Sequence, residues 1–81
     1  MTYSVFIDGA AGTTGLQVHD RLQKRVELSV YVLDDQQRKD ADARAKAMAN
    51  ADVTILCLPD EAAIQAAQMA KVSGARLILS L

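Results

Sequence analysis

Apolar and polar positions along the chain alternate between two periods. Tyr3, Val5, Phe6 and Ile7 form a nearly continuous run of aromatic and β-branched residues, the composition of a parallel strand covered on both faces. Gly15, Val18 and Leu22 then recur at i, i+3 and i+7 while His19, Asp20, Gln23 and Lys24 fall elsewhere, which predicts a helix with one apolar stripe. "VELSVYVLD", Val26 to Asp34, has the length and residue types of a second strand, and the polar stretch "DQQRKD" ends it. Ala41, Ala45 and Met48 repeat at helical spacing in an alanine-rich segment, with Asn50 suited to a left-handed closing position.

"DVTILCL", Asp52 to Leu58, is a third buried strand, and Pro59 ends it because it lacks the amide that a central ladder uses. Asp60 is a candidate N-cap with Glu61 in the first turn, and a third helix runs through Ala63, Ala67 and Ala70 to a stop at Gly74. "ARLILSL", Ala75 to Leu81, supplies a fourth strand. The order β-α-β-α-β-α-β predicts a single α/β domain over residues 1–81, with helices on both faces of a parallel sheet in three layers. Right-handed crossovers leave few topologies, and the one expected is a doubly wound, Rossmann-like sheet of strand order 3-2-1-4. Its chain direction reverses between strands one and four, opening a crevice at their carboxyl ends.

"GAAGTTG", Gly9 to Gly15, sits where the first strand turns into the first helix and hence at the mouth of that crevice. Gly9 supplies a backbone turn that a side chain obstructs. Gly12 leaves the helix N-terminus open to a phosphate, where free amides and the helix dipole favour an anion. Gly15 lets the first turn sit close to the strand below, and Thr13 and Thr14 can cap the helix or donate to a phosphate oxygen. The spacing G-x-x-G-x-x-G is a weak signal by itself, but a strand before it, a helix after it and an acid at the end of the second strand strengthen it. Asp34 falls 34 − 15 = 19 residues after the last glycine, close to the roughly 20 expected of a ribose-binding acid. A dinucleotide is therefore the expected ligand, and a tight turn that binds nothing is the alternative. Asp34 and Asp35 favour NAD, because a carboxylate accepts from a ribose 2'-hydroxyl and repels a 2'-phosphate, whereas Arg38 and Lys39 favour NADP.

Composition removes other partners. Nine basic and ten acidic residues give a formal charge of −1, too little field to grip a nucleic-acid backbone. No apolar run approaches the roughly 18 residues of a membrane span, so no membrane partner is expected. The opening "MTYSVFID" has neither the basic segment nor the long apolar stretch of a signal peptide, which makes a cytoplasmic location the expectation. Cys57 is the single cysteine, and no cluster of His, Cys and carboxylates has metal-ligand spacing; no metal is expected.

"VFIDGAAGTTGLQVHDRL", "RKDADARA" and "ADVTILCLPDEAA" together resemble the amino-terminal part of N-acetyl-gamma-glutamyl-phosphate reductase, in particular its shorter form, over nearly all of the chain. The resemblance implies an NADP-dependent enzyme of arginine biosynthesis that reduces an acyl phosphate to an aldehyde through a cysteine thioester, with a histidine as acid and base. It assigns Gly9, Ala11, Gly12, Thr13, Thr14 and Gly15 to the cofactor phosphates, Arg38 and Lys39 to the 2'-phosphate, and Cys57, Leu58 and Pro59 to the rim of the crevice. It tips the cofactor from NAD to NADP. The family's catalytic cysteine and histidine have no counterpart here: Cys57 lies inside an apolar strand, as a small buried hydrophobe does, and His19 is expected at the surface. No catalytic residue is therefore assigned. The chain reads as a cofactor-binding part that is not catalytic alone, with a non-catalytic nucleotide or interaction module, or a remodelled Rossmann piece, as the other readings. The apolar fourth strand, expected at a sheet edge, predicts a homo-oligomer paired through Leu77 to Leu81.

Overall fold

The computed structural model describes residues 2–10 and 12–80. Its elements are β1 (Tyr3–Asp8), α1 (Thr13–Leu22), β2 (Leu28–Tyr31), a short 3-10 turn (Gln37–Lys39), α2 (Ala41–Asn50), β3 (Val53–Leu56), α3 (Asp60–Ser73) and β4 (Leu77–Ser80). All strand pairings are parallel, and the sheet order is β2-β1-β3-β4. The fold class is the expected α/β sandwich, but the strand order 2-1-3-4 replaces 3-2-1-4.

Burial explains the difference. Val5, Phe6 and Ile7 are buried without a break, and so are Thr54, Ile55 and Leu56, so β1 and β3 lie side by side in the middle. The residues of β2 are only half-buried and Ser29 is exposed, which suits an edge and not the interior place that 3-2-1-4 would give it. The reversal of chain direction therefore falls between β1 and β3, and the crevice opens at the carboxyl ends of those two strands.

Two apolar layers follow from the pleat. Val5, Ile7 and Ile55 face α1, where Val18 and Leu22 pack on them. Phe6 and Leu56 face the other way, onto Ala47, Met48 and Ala51 at the α2 end and Ala66 and Ala70 of α3. Phe6 also stacks on Tyr31 with ring centroids 5.5 Å apart, and the Tyr31 hydroxyl donates to the Ala47 carbonyl at 2.8 Å. Burial there pushes the Tyr31 phenol upward from its ordinary value.

Several helix ends differ from expectation. Asp40 caps α2 by accepting from the Asp42 and Ala43 amides, a role not read from the sequence. Asn50 is the last residue of α2, and the turn continues through an extended Ala51 instead of a left-handed residue. Pro59 is the N-cap of α3 and Asp60 its first residue, whereas Gly74 does close α3 in the left-handed conformation, at φ 83°. Val26 is nearly fully exposed and lies outside β2.

At the end of the sheet opposite the crevice, the Asp52 carboxylate accepts from the Ser4 amide at 2.8 Å, from the Ser4 hydroxyl at 3.3 Å and from Arg76 at 3.2 Å. These bonds hold its carboxyl below the usual value of 3.8, the Ser4 amide contributing most. A carboxyl that binds its proton less tightly when folded stabilises the fold above that value and ceases to do so as pH falls through the lower folded value. An Asp52→Asn variant should therefore lose stability at neutral pH and show a shallower loss below pH 3.8 than the parent in acid denaturation followed by circular dichroism.

Candidate functional site

The segment from Asp8 to Thr14 turns on Gly9, whose φ of +88° belongs to the left-handed region. A Cβ built there would overlap the Cys57 carbonyl oxygen and approach Leu58 Cδ2 to 2.8 Å, so β1 and the end of β3 meet only because position 9 carries no side chain. Gly15 is buried, and a Cβ on it would overlap the Gly9 carbonyl and come within 2.6 Å of Ala10 Cα. Both glycines are thus fixed by close approach of backbone to backbone.

Gly12 is different. It is the N-cap of α1 with extended backbone, φ −78° and ψ 168°, which any residue can adopt. A Cβ there meets nothing nearer than the Gly9 carbonyl at 3.6 Å, so neither conformation nor packing requires glycine. What its bareness does is leave α1 open at its positive end: no side chain caps the helix, its first turn carries no acid, and Gly12, Thr13 and Thr14 are exposed. Of the two roles open to Thr13 and Thr14, side-chain capping of the helix is not the one observed. The first-turn amides of a helix have no intrahelical partner, and those of Thr13 and Thr14 meet no acceptor among the described residues. They line a recess of about 300 Å³ with Gly12, Cys57, Leu58 and Pro59.

On the other side of Leu58 lies a larger cavity of about 430 Å³, walled by Gly9, Arg38 and Lys39, by Asp8 and Arg44, and by Ala62, Gln65, Ala66 and Met69 of α3. Arg38 and Lys39 come from the turn after β2, and the chain reversal brings them to the same opening as Gly9 and Leu58. Asp34 does not line either space. It caps the 3-10 turn instead, its carboxylate accepting from the Gln37 amide at 2.8 Å. Asp35 pairs with Arg38 at 3.3 Å. Ala11 lies outside the described residues.

Cys57 is half-buried, and burial first, then the charge of Asp8, raises its thiol above the ordinary value. It remains a protonated thiol at neutral pH, in keeping with a place in the wall and not with a nucleophile. His19 is half-buried in a smaller groove of about 220 Å³ and Asp20 pairs with Lys24, so the one acid beside it in sequence is engaged elsewhere. Among the described residues no group of His, Cys and carboxylates could hold a metal, and no helix is long and apolar enough to cross a membrane.

Sequence reasoning missed Asp8 and Arg44. The Arg44 guanidinium donates to the Asp8 carboxylate at 2.6 Å, and the Asp8 side chain is only 6% exposed. The signal was present: a carboxylate at the buried end of an apolar run, directly before Gly9.

No family model matches the chain. Curated relatives do. The chain is 46% identical over 74 residues to N-acetyl-gamma-glutamyl-phosphate reductase 2 of a Nostoc species, covering 91% of this chain and 23% of that protein. It is 47% identical over 74 residues to the N-acetyl-gamma-glutamyl-phosphate reductase of Burkholderia ambifaria, covering 91% and 24%. With N-acetyl-gamma-glutamyl-phosphate reductase 2 of Pseudomonas putida it shares 53% over 62 residues, 76% of this chain and 20% of that protein. The chain spans about a quarter of the length of these relatives.

Proposed function

We propose that this chain, a homologue of the N-acetyl-gamma-glutamyl-phosphate reductases over the residues matched, is the NADP-binding part of such an enzyme. The observation that carries the reading is the chain reversal at β1 and β3, which gathers Gly9, Leu58, Arg38 and Lys39 around one cavity beside the bare start of α1. The recess beside the bare Gly12 suits a diphosphate, donated to by the Thr13 and Thr14 amides and favoured by the helix dipole. The diphosphate would rest in the recess beside Pro59, and the adenosine end would pass Leu58 into the larger cavity, where Arg38 and Lys39 meet the 2'-phosphate.

Bound NADPH supplies a hydride for the reduction of an acyl phosphate to an aldehyde. Within this chain the residues hold and orient: the glycine turn sets the diphosphate, Leu58 and Pro59 shape the passage, and Cys57 stays a neutral wall. The thioester-forming cysteine and its histidine partner belong to the remainder of the enzyme, and the location is cytoplasmic.

The cofactor choice is tested by charge. Replacing both Arg38 and Lys39 with alanine should weaken NADPH binding by tenfold or more, about 1.4 kcal/mol, and leave NADH binding within about threefold. Equal loss of both nucleotides in calorimetric titration would contradict the assignment of the two cations to the 2'-phosphate.

A partner for the sheet follows from its edge. β4 is one of the two outer strands, and Leu77 and Leu79 are 50% and 44% exposed, so we expect two copies to join through β4; Leu81, the last residue of the expected pairing, lies outside the described residues. Sedimentation should show a dimer at high concentration, and a Leu79→Lys variant should be monomeric; a monomeric parent rules this pairing out.

A further inference from the structure

We infer that Arg44 is a positioning residue that neutralises Asp8 so that the larger cavity admits an anionic nucleotide; this rests on the dinucleotide reading above. Asp8 and Arg44 both line that cavity, along with Arg38 and Lys39. Asp8 stands at the carboxyl end of β1, almost wholly buried, and borders both the large cavity and the groove beside it. An uncompensated carboxylate at that place would set a fixed negative charge in poorly solvated surroundings against any incoming phosphate. Arg44 reaches it from α2, across 36 residues of sequence, and binds it at 2.6 Å, while its Nε is buried with no partner among the described residues. One terminal nitrogen of the guanidinium is engaged by Asp8, the only side-chain acceptor it meets among the described residues. With that pair neutral, and Arg38 shared with the exposed Asp35, Lys39 and Arg38 remain as the cations that line the wall.

The arrangement distinguishes a compensating arginine from one that grips the ligand. If Arg44 acts through Asp8, its loss is harmful only while Asp8 is charged. The test is titration of NADPH and NADH into the 81-residue chain and three variants, Arg44→Gln, Asp8→Asn and the double Asp8→Asn/Arg44→Gln, each first checked for its fold by circular dichroism. Arg44→Gln should weaken NADPH about tenfold or more and NADH clearly less, because the extra phosphate is the group most exposed to the freed carboxylate. The double variant should return NADPH binding to within about threefold of the parent. Asp8→Asn should bind NADPH as well as the parent or better, which decides the matter even if Arg44→Gln fails to fold.

A folded Arg44→Gln variant with unchanged NADPH binding overturns the inference, as does a double variant as weak as Arg44→Gln alone, or an Asp8→Asn variant that loses NADPH. A parent chain that binds neither nucleotide overturns the dinucleotide reading and this inference with it.

Discussion

Gly9→Ala is expected to cost about 2 to 6 kcal/mol of folding stability, through two effects that add. A left-handed φ of +88° strains an alanine by about 1 to 3 kcal/mol. The new methyl also overlaps the Cys57 carbonyl and lies 2.8 Å from Leu58 Cδ2 and 3.0 Å from the Cys57 carbonyl carbon. Leu58 can rotate away, but the backbone of β3 cannot move without disturbing its ladder to β1, where Asp8 pairs with Leu56. Overpacking of that kind costs about 1 to 3 kcal/mol more. An 81-residue domain has a total stability of about 4 to 12 kcal/mol, so the variant approaches the limit of folding. Urea denaturation followed by circular dichroism measures it. A loss under 1 kcal/mol would mean that the β1–β3 approach is looser than described.

The structural roles of Gly9 and Gly15 were legible from sequence because they are local. A strand that turns at once into a helix limits where a side chain fits, and Gly9 and Gly15 sit at the two points of contact. The order of strands was not legible in the same way. Pattern alone places β3 next to its predecessor, but adjacency depends on which strand has two covered faces, and that is a property of the whole sheet. Ser29 within β2, and Arg25 and Glu27 just before it, were the signs of an edge. Asp34 illustrates a different limit: its spacing from Gly15 suits a ribose acid, yet the same carboxylate satisfies the Gln37 amide and caps a turn. Arg38 and Lys39 were singled out by charge, and the reversal between β1 and β3 brings them to the cavity with Gly9. Asp8 and Arg44 were missed because an ion pair formed across two elements leaves no periodic trace in either one.

Gly12→Val separates binding from folding in a way that no other change in the turn does. Its backbone is extended, and the nearest atom to a new Cβ is the Gly9 carbonyl oxygen at 3.6 Å, an ordinary contact. Loss of a favourable N-cap costs at most about 1 kcal/mol. The side chain would instead stand in the mouth of α1 and keep a diphosphate from the Thr13 and Thr14 amides. Charge-assisted hydrogen bonds are worth about 1.5 to 3 kcal/mol each, so removal of two should weaken NADPH about a hundredfold or more.

The most direct measurement is an amide-resolved NMR titration of the parent chain and of Gly12→Val with NADPH. The expected result is large, saturable shifts at the Thr13 and Thr14 amides of the parent, and their absence in a variant whose unfolding midpoint stays near the parent's. Shifts confined to the β4 edge or absent from the start of α1 in the parent, or a Gly12→Val variant that binds NADPH as tightly as the parent, would contradict the diphosphate seat.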